Sequence, residues 1–293
     1  MGKVIGVIAL KGGVGKTSCT ANLGASLAMH YGKKVLIVDT NFNAANLGFH
    51  VGLFEPETTI HDVLLNKADI KDAIYEYHPN LHIIPAALTP LLIRNPYKLK
   101  QKIASLKNHY DVILLDSSPS LNNEILSTMA ASDELYVVTS PDYPTLSTTL
   151  RAVSIAKKKN IPIKGLILNK VRGKKFELTT SEIENTAEVP VIGVIPDDLK
   201  MLEALAFTKS VYEHAPHTNA AIELNKIAGS LIGETYTDPR FFKRLFAGFK
   251  RQTSKNMDTN TSTVTSDVKS SSSKEESSAF NMPFEIKKFY KEK

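Results

Sequence analysis

A single cysteine, Cys19, stands in the 293 residues. One thiol excludes intrachain disulfides, thiolate-ligated zinc and two-thiol redox chemistry within one chain. Cys19 itself reads as a small buried residue on a helix. Long apolar runs are also missing. No stretch of 18 or more apolar residues is present to span a bilayer, and the short run Val4–Leu10 opens the fold with no charged, cleavable leader before it. A cytoplasmic protein is expected. Charge of one sign is scarce over most of the chain: residues 1–237 hold 24 Lys and Arg against 23 Asp and Glu. Residues 238–256 hold six against one, and 257–293 six against six. Nearly all of the net +6 therefore sits in about twenty residues, which marks a local interaction segment rather than a generally basic domain.

What is present is enough for a full core: 42% of residues are hydrophobic, consistent with one large domain plus accessories. Short β-branched runs recur at Val4–Leu10, Val35–Val38, Leu81–Ile84, Val112–Leu115, Leu135–Val138, Gly165–Leu168 and Val191–Ile195, with helical stretches between them. Runs this short and apolar read as strands buried on both faces. Their alternation with helices predicts an α/β, doubly wound, mostly parallel sheet, which binds ligands beyond the carboxyl ends of its strands. The last helical pattern of this domain, residues 1–233, runs over Ala220–Ile232 and is closed by Gly233 as a C-cap.

After the first strand comes Lys11-Gly12-Gly13-Val14-Gly15-Lys16-Thr17, followed by a helical stretch over Ser18–Tyr31. Glycines let successive backbone N–H groups turn inward around an anion, and the helix N-terminus adds its positive dipole end. Lys16 can reach β- and γ-phosphates, and Thr17 can ligate Mg²⁺. Gly12, Gly13, Val14, Gly15, Lys16, Thr17 and Ser18 are thus the candidate phosphate-binding residues. The general phosphate-loop pattern wants glycine at position 10, where this chain has Leu10, with a lysine directly after it.

That departure resembles the deviant P-loop of the MinD/ParA ATPases, closest to the MinD-like branch, and implies a P-loop NTPase fold of the SIMIBI type. The resemblance covers residues 3 to about 251. It implies that Lys11 crosses a dimer interface to touch the partner's nucleotide phosphates, so that two subunits sandwich two ATP molecules. It also assigns a second motif to Tyr110–Pro119, where a buried strand ends in Asp116. That carboxylate is placed to hold Mg²⁺ through water, with Ser117–Ser120 as the γ-phosphate-sensing loop. Taken alone, a strand-terminal Asp is also a common helix cap or turn residue. Asn169, in Leu168-Asn169-Lys170-Val171-Arg172, suggests base recognition by an amide. A guanine site of the common Asn-Lys-x-Asp kind would have an acid where Arg172 stands, so adenine is favoured. Pro196 and Asp197 match the segment that packs on adenine in MinD-like proteins. Their plain reading is a strand-to-helix turn with Asp as N-cap.

The third motif, Asp39-Thr40-Asn41-Phe42-Asn43, departs from the family. MinD-like relatives usually carry Asp-x-Asp, the first acid near Mg²⁺ and the second orienting the attacking water. Asp39 matches the first, but Asn41 replaces the second. An amide accepts a hydrogen bond yet cannot take a proton. With Lys11, Lys16 and Asn41 in the catalytic positions, hydrolysis is expected to be slow, by roughly 10²- to 10⁴-fold. Asn43 or another group could substitute.

Asp238-Pro239 supplies an N-cap and a first-turn proline for an amphipathic helix over residues 238–251. At about 100° per residue, Phe241, Phe242, Leu245, Phe246 and Phe249 share one face, while Arg240, Lys243, Arg244, Lys250 and Arg251 share the other. This pattern fits an interfacial helix on anionic lipid, and it resembles the MinD membrane-targeting sequence. The alternative is a helix whose Phe face caps the domain's own core. Residues 252–283 read as a disordered Ser/Thr-rich linker, and residues 284–293 as a short docking segment.

The expected protein is an ATP- and Mg²⁺-dependent switch that dimerises on ATP and lies peripherally on the inner face of the cell membrane. It would position a cellular apparatus through an unidentified protein activator or cargo. The alternatives are a nearly inactive nucleotide-loaded scaffold and a ParA-like DNA-segregation ATPase. The near-neutral core argues against DNA. Iron–sulfur carriers built on the same fold need more cysteines.

Overall fold

The computed structural model describes residues 1–89 and 91–237. The amphipathic helix expected at 238–251, the linker 252–283 and the segment 284–293 lie outside the described residues.

Eight strands form one sheet: β1 (Lys3–Ile8), β2 (Val35–Thr40), β3 (Tyr75–His78), β4 (Leu81–Ile84), β5 (Val112–Ser117), β6 (Glu134–Thr139), β7 (Ile163–Val171) and β8 (Val191–Pro196). Their order is β3-β4-β2-β5-β1-β6-β7-β8. All pairings are parallel except β3 with β4. All seven apolar runs read from the sequence are strands. The eighth, β3, was not anticipated: Tyr-Glu-Tyr-His is polar and only half-buried, as an edge strand paired on one side can be.

The helices are α1 (Lys16–Ala25), α2 (Leu47–His50), α3 (Ile60–Leu64), α4 (Lys98–Ala104), α5 (Asn123–Ala131), α6 (Tyr143–Lys158), α7 (Thr180–Ala187), α8 (Leu199–Ala206), α9 (Val211–His214) and α10 (Asn219–Ile232). The helix expected to run to Tyr31 is α-helical to Ala25 and continues as a π-helical turn over Ser26–His30. Gly233 closes α10 in the left-handed region, φ 74°, as a C-cap glycine does.

Strands β2, β5 and β6 are buried at every position, because helices cover both faces of the sheet. Ile5, Val7, Ile37, Leu114 and Val138 pack with α1 and α10 on one side. Val4, Leu36, Val38, Ile113 and Leu115 pack with α3 and α4 on the other. A third apolar cluster joins Ile8, Val137 and Leu166 to α5, α6 and α7. The chain runs outward from β1 in one direction through β2, returns at β5, then runs outward in the other through β6 to β8. The reversal falls at β1, and ligands of such sheets bind at this switch point, outside the carboxyl ends of the strands.

Candidate nucleotide site

The segment joining β1 to α1 turns through two left-handed glycines, Gly13 at φ 77° and Gly15 at φ 86°. A side chain at Gly15 would also collide with the Asn169 amide, 2.2 Å from where its Cβ would lie. At Gly12 and Gly13 a Cβ would meet nothing within 4 Å, so the loop borders open space rather than packed protein. The first helical hydrogen bond of α1 runs from the Cys19 N–H to the Gly15 carbonyl, 2.9 Å. The amides of Lys16, Thr17 and Ser18 therefore stand outside the helical ladder, at the positive end of the helix. Val14 is buried, anchoring the loop.

Register brings the carboxylates together. Asp39 on β2 lies directly beside Asp116 on β5, and both are fully buried. Lys16 lies against them, its Nζ 2.7 Å from Asp116 Oδ1. The Thr17 hydroxyl donates to Asp116 Oδ2 at 2.7 Å, and the Thr20 hydroxyl to Oδ1 at 3.1 Å. Asp39 organises the loop that follows it. Its Oδ1 accepts from the Asn41 N–H, 3.0 Å, and its Oδ2 from the N–H groups of Asn46 and Leu47, both 3.1 Å. Burial and the neighbouring Asp116 charge raise the Asp39 pKa above the ordinary carboxylate range, against the pull of those N–H groups and Lys16.

Oxygen ligands from Thr17, Asp39 and Asp116 suit a hard cation such as Mg²⁺. Among the described residues no group of three His, Cys, Asp or Glu forms a self-sufficient metal cage. A cation here needs further oxygens from phosphate and water, which is how Mg²⁺ is usually held. The donor set and the open loop thus fit a magnesium nucleotide.

The other candidates fall into two groups. Lys11 turns to its own chain, with Nζ 2.7 Å from Thr145 Oγ1 and 3.1 Å from Asp142 Oδ1. Asp142 caps α6. Burial opposes its charge, but hydrogen bonds from Ser140 and Thr145 and the Lys11 ammonium pull its pKa down to about 2. Asn169 is buried and its amide donates to the Val14 carbonyl at 2.8 Å, so it braces the phosphate loop. Lys170 does likewise through the Gly13 carbonyl, 2.8 Å. Pro196 ends β8, and the exposed Asp197 pairs with Arg172 at 2.7 Å. The N-cap of α8 is Asp198, not Asp197.

Asn41 is buried, and its side-chain amide donates to the Ala44 carbonyl. It closes its own loop instead of standing in the opening. Sequence reasoning missed Glu124 on α5, which accepts from the Asn43 amide and is 8% exposed. No local motif marks it, because 81 residues separate the partners.

Residues 2–162 match the family described as an AAA domain. An uncharacterized ATP-binding protein of Methanocaldococcus jannaschii is 36% identical over 238 residues, covering 80% of this chain and 90% of its own length. The Pyrococcus furiosus cell division ATPase MinD superimposes with a TM-score of 0.76 at 33% identity, covering 80% of this chain and 99% of that one. The chain belongs to the MinD/ParA family of P-loop ATPases. The septum site-determining protein MinD of Pyrococcus horikoshii, solved with Mg-ADP, is similar at a TM-score of 0.75 and 32% identity, over 79% of this chain and 96% of that one. MinD/ParA membership makes ATPase activity, in the general sense, the chemistry of this fold.

Proposed function

We propose that this chain is a MinD-like switch that binds Mg·ATP in the β1–α1 loop, pairs with a second copy when loaded, and hydrolyses ATP slowly. Gly12 through Ser18 hold the phosphates, with Lys16 released from Asp116 to the β- and γ-phosphates. Thr17, Asp39 and Asp116 hold Mg²⁺, and Asn169, Pro196 and Asp197 lie at the adenine end. Magnesium supplies charge neutralisation at the phosphates. Lys11 leaves Asp142 and Thr145 to reach the partner's nucleotide. Hydrolysis is slow because the group at position 41 is an amide turned onto Ala44.

One observation carries the pairing. Exposed large apolar side chains gather at the nucleotide end of the sheet: Phe49 after β2, Leu121 after β5, Tyr143 after β6, Phe176 after β7, and Leu199 and Leu202 after β8. Tyr143 and Leu199 are more than 70% exposed. Apolar surface concentrated around a polar opening is the mark of an interaction face.

Pairing gives the tail its use. Two copies of the cationic, Phe-rich segment 238–251 hold an anionic bilayer where one binds weakly, because the second attachment is intramolecular. Loaded dimers then sit peripherally on the inner face of the cell membrane and position a cellular apparatus through a protein activator or cargo. Among the described residues no helix is long and apolar enough to cross a membrane.

Sedimentation of the full chain with and without Mg·ATP tests the reading. A dimer with Mg·ATP and a monomer without it are expected; the same monomer in both would overturn it. Co-sedimentation with anionic liposomes should require both ATP and the residues from Asp238 onward.

A further inference from the structure

The loop after β2 and the loop after β5 meet at one buried carboxylate. Glu124, near the start of α5, accepts a hydrogen bond from the Asn43 amide nitrogen. Its second oxygen, Oε2, is buried and has no hydrogen-bond partner. Leaving a carboxylate oxygen buried and unsatisfied costs about 1–3 kcal/mol or more, so the fold keeps this acid against a penalty. Packing alone does not explain it, because the ordinary solution at a buried position is an apolar side chain.

The acid also lies at the same end of the sheet as the position that lacks one, since β2 and β5 are parallel neighbours. Asn41, in the position of the usual acid, is buried and its amide is engaged with the Ala44 carbonyl. Two residues on, Asn43 is exposed at the nucleotide end of the sheet. Its nitrogen is held by Glu124, which fixes which way the amide faces. With Nδ2 turned to the acid, the carbonyl Oδ1 points away from it, free to accept a hydrogen bond.

We infer that Asn43 contacts the hydrolytic water and that Glu124 is its positioning residue, the pair standing in for the acid missing at position 41. This rests on the proposed ATP-hydrolysing role. The Asn43 Oδ1 accepts one O–H of the water and aligns its oxygen on the γ-phosphorus. The new O–Pγ bond forms as the bond from Pγ to the β–γ bridging oxygen breaks, its electron pair leaving with ADP. An amide takes no proton, so the water's proton passes to a γ-phosphoryl oxygen. The carboxylate of Glu124 fixes and polarises the amide without touching the water.

Single-turnover hydrolysis and ATP affinity of the full chain would be measured for wild type, Asn43→Ala, Glu124→Gln and the double variant, with thermal unfolding of each. Each single change should slow hydrolysis about tenfold, the effect of one hydrogen bond to a charged group, at unchanged ATP affinity. The double variant should be no slower than Asn43→Ala, because Glu124 acts only through Asn43. Unchanged rates in the single variants would overturn the inference. So would effects that multiply in the double variant, losses that follow ATP affinity or thermal stability, or wild type that binds ATP without detectable hydrolysis. Failure of wild type to bind ATP would instead bring down the nucleotide reading itself.

Discussion

The two ends of the sheet are built from similar residues and do opposite things with them. At the amino ends of the strands, two hollows of about 430 and 410 Å³ are lined by Lys100, Asp133 and Lys159, and by Lys34, Lys107 and Asp111. Charges there pair in or near water, as Lys107 does with Asp133 at 2.7 Å. At the carboxyl ends Lys16, Asp39 and Asp116 are buried, with the ammonium paired to Asp116 and Asp39 beside it, while apolar side chains face outward. A hollow is therefore a poor guide to the site. The informative signs are charges kept from water and hydrophobic groups left in it.

The sharpest way to break that contrast is to remove a lysine at each end. Lys16→Met should destabilise the fold by about 3–5 kcal/mol, because it strands buried carboxylates. Lys107→Met at the amino end should cost under about 1 kcal/mol. Urea unfolding of the two variants measures the difference, and equal losses would erase the distinction between the ends.

Next in size is Asn41→Asp. A carboxylate at this position should raise single-turnover hydrolysis by about 10²-fold. It also places oxygen against the Ala44 carbonyl where a donor now stands, so stability should fall by about 1 kcal/mol. Faster turnover without that loss would mean the 41–44 contact contributes nothing. Asp142→Asn is milder. Asparagine caps helices as well as aspartate, so α6 is kept while Lys11 loses its ion pair. The midpoint of ATP-dependent dimerisation should shift by about two- to fivefold toward lower protein concentration, read by sedimentation.

The smallest expected effect concerns His61, which is fully buried behind the β2 loop. Its Nε2 meets the Phe42 carbonyl at 2.9 Å, and its Nδ1 accepts from the Ala87 N–H at 3.0 Å. Burial lowers its pKa below the ordinary 6.5. The unfolded chain therefore binds the proton more readily. The His61 contribution is fully present above pH 6.5 and is lost as pH falls from there toward the lower folded value. The difference in melting temperature between wild type and His61→Asn should therefore shrink from pH 7 to pH 5.

Much of the nucleotide end was legible in the sequence because its signals are local. Glycines, Lys16 and Thr17 fall in one run between a strand and a helix, and Asp116 ends an apolar strand. What stayed hidden depends on contacts between distant segments. Glu124 gains meaning only from Asn43, and the brace from Asn169 to the Val14 carbonyl joins residues 155 positions apart. Asp198, rather than Asp197, caps α8, a difference of one residue that pattern does not resolve. Strand β3 was missed because an edge needs no apolar run.

Two side chains at the end of β7 hold the phosphate loop. Asn169 grips the Val14 carbonyl and Lys170 the Gly13 carbonyl, while Gly15 has no room to give against the Asn169 amide. The loop is thereby strutted from the far half of the sheet. A displacement of the carboxyl end of β7 would therefore carry the Gly13 and Val14 carbonyls with it, although β6 lies between that strand and β1.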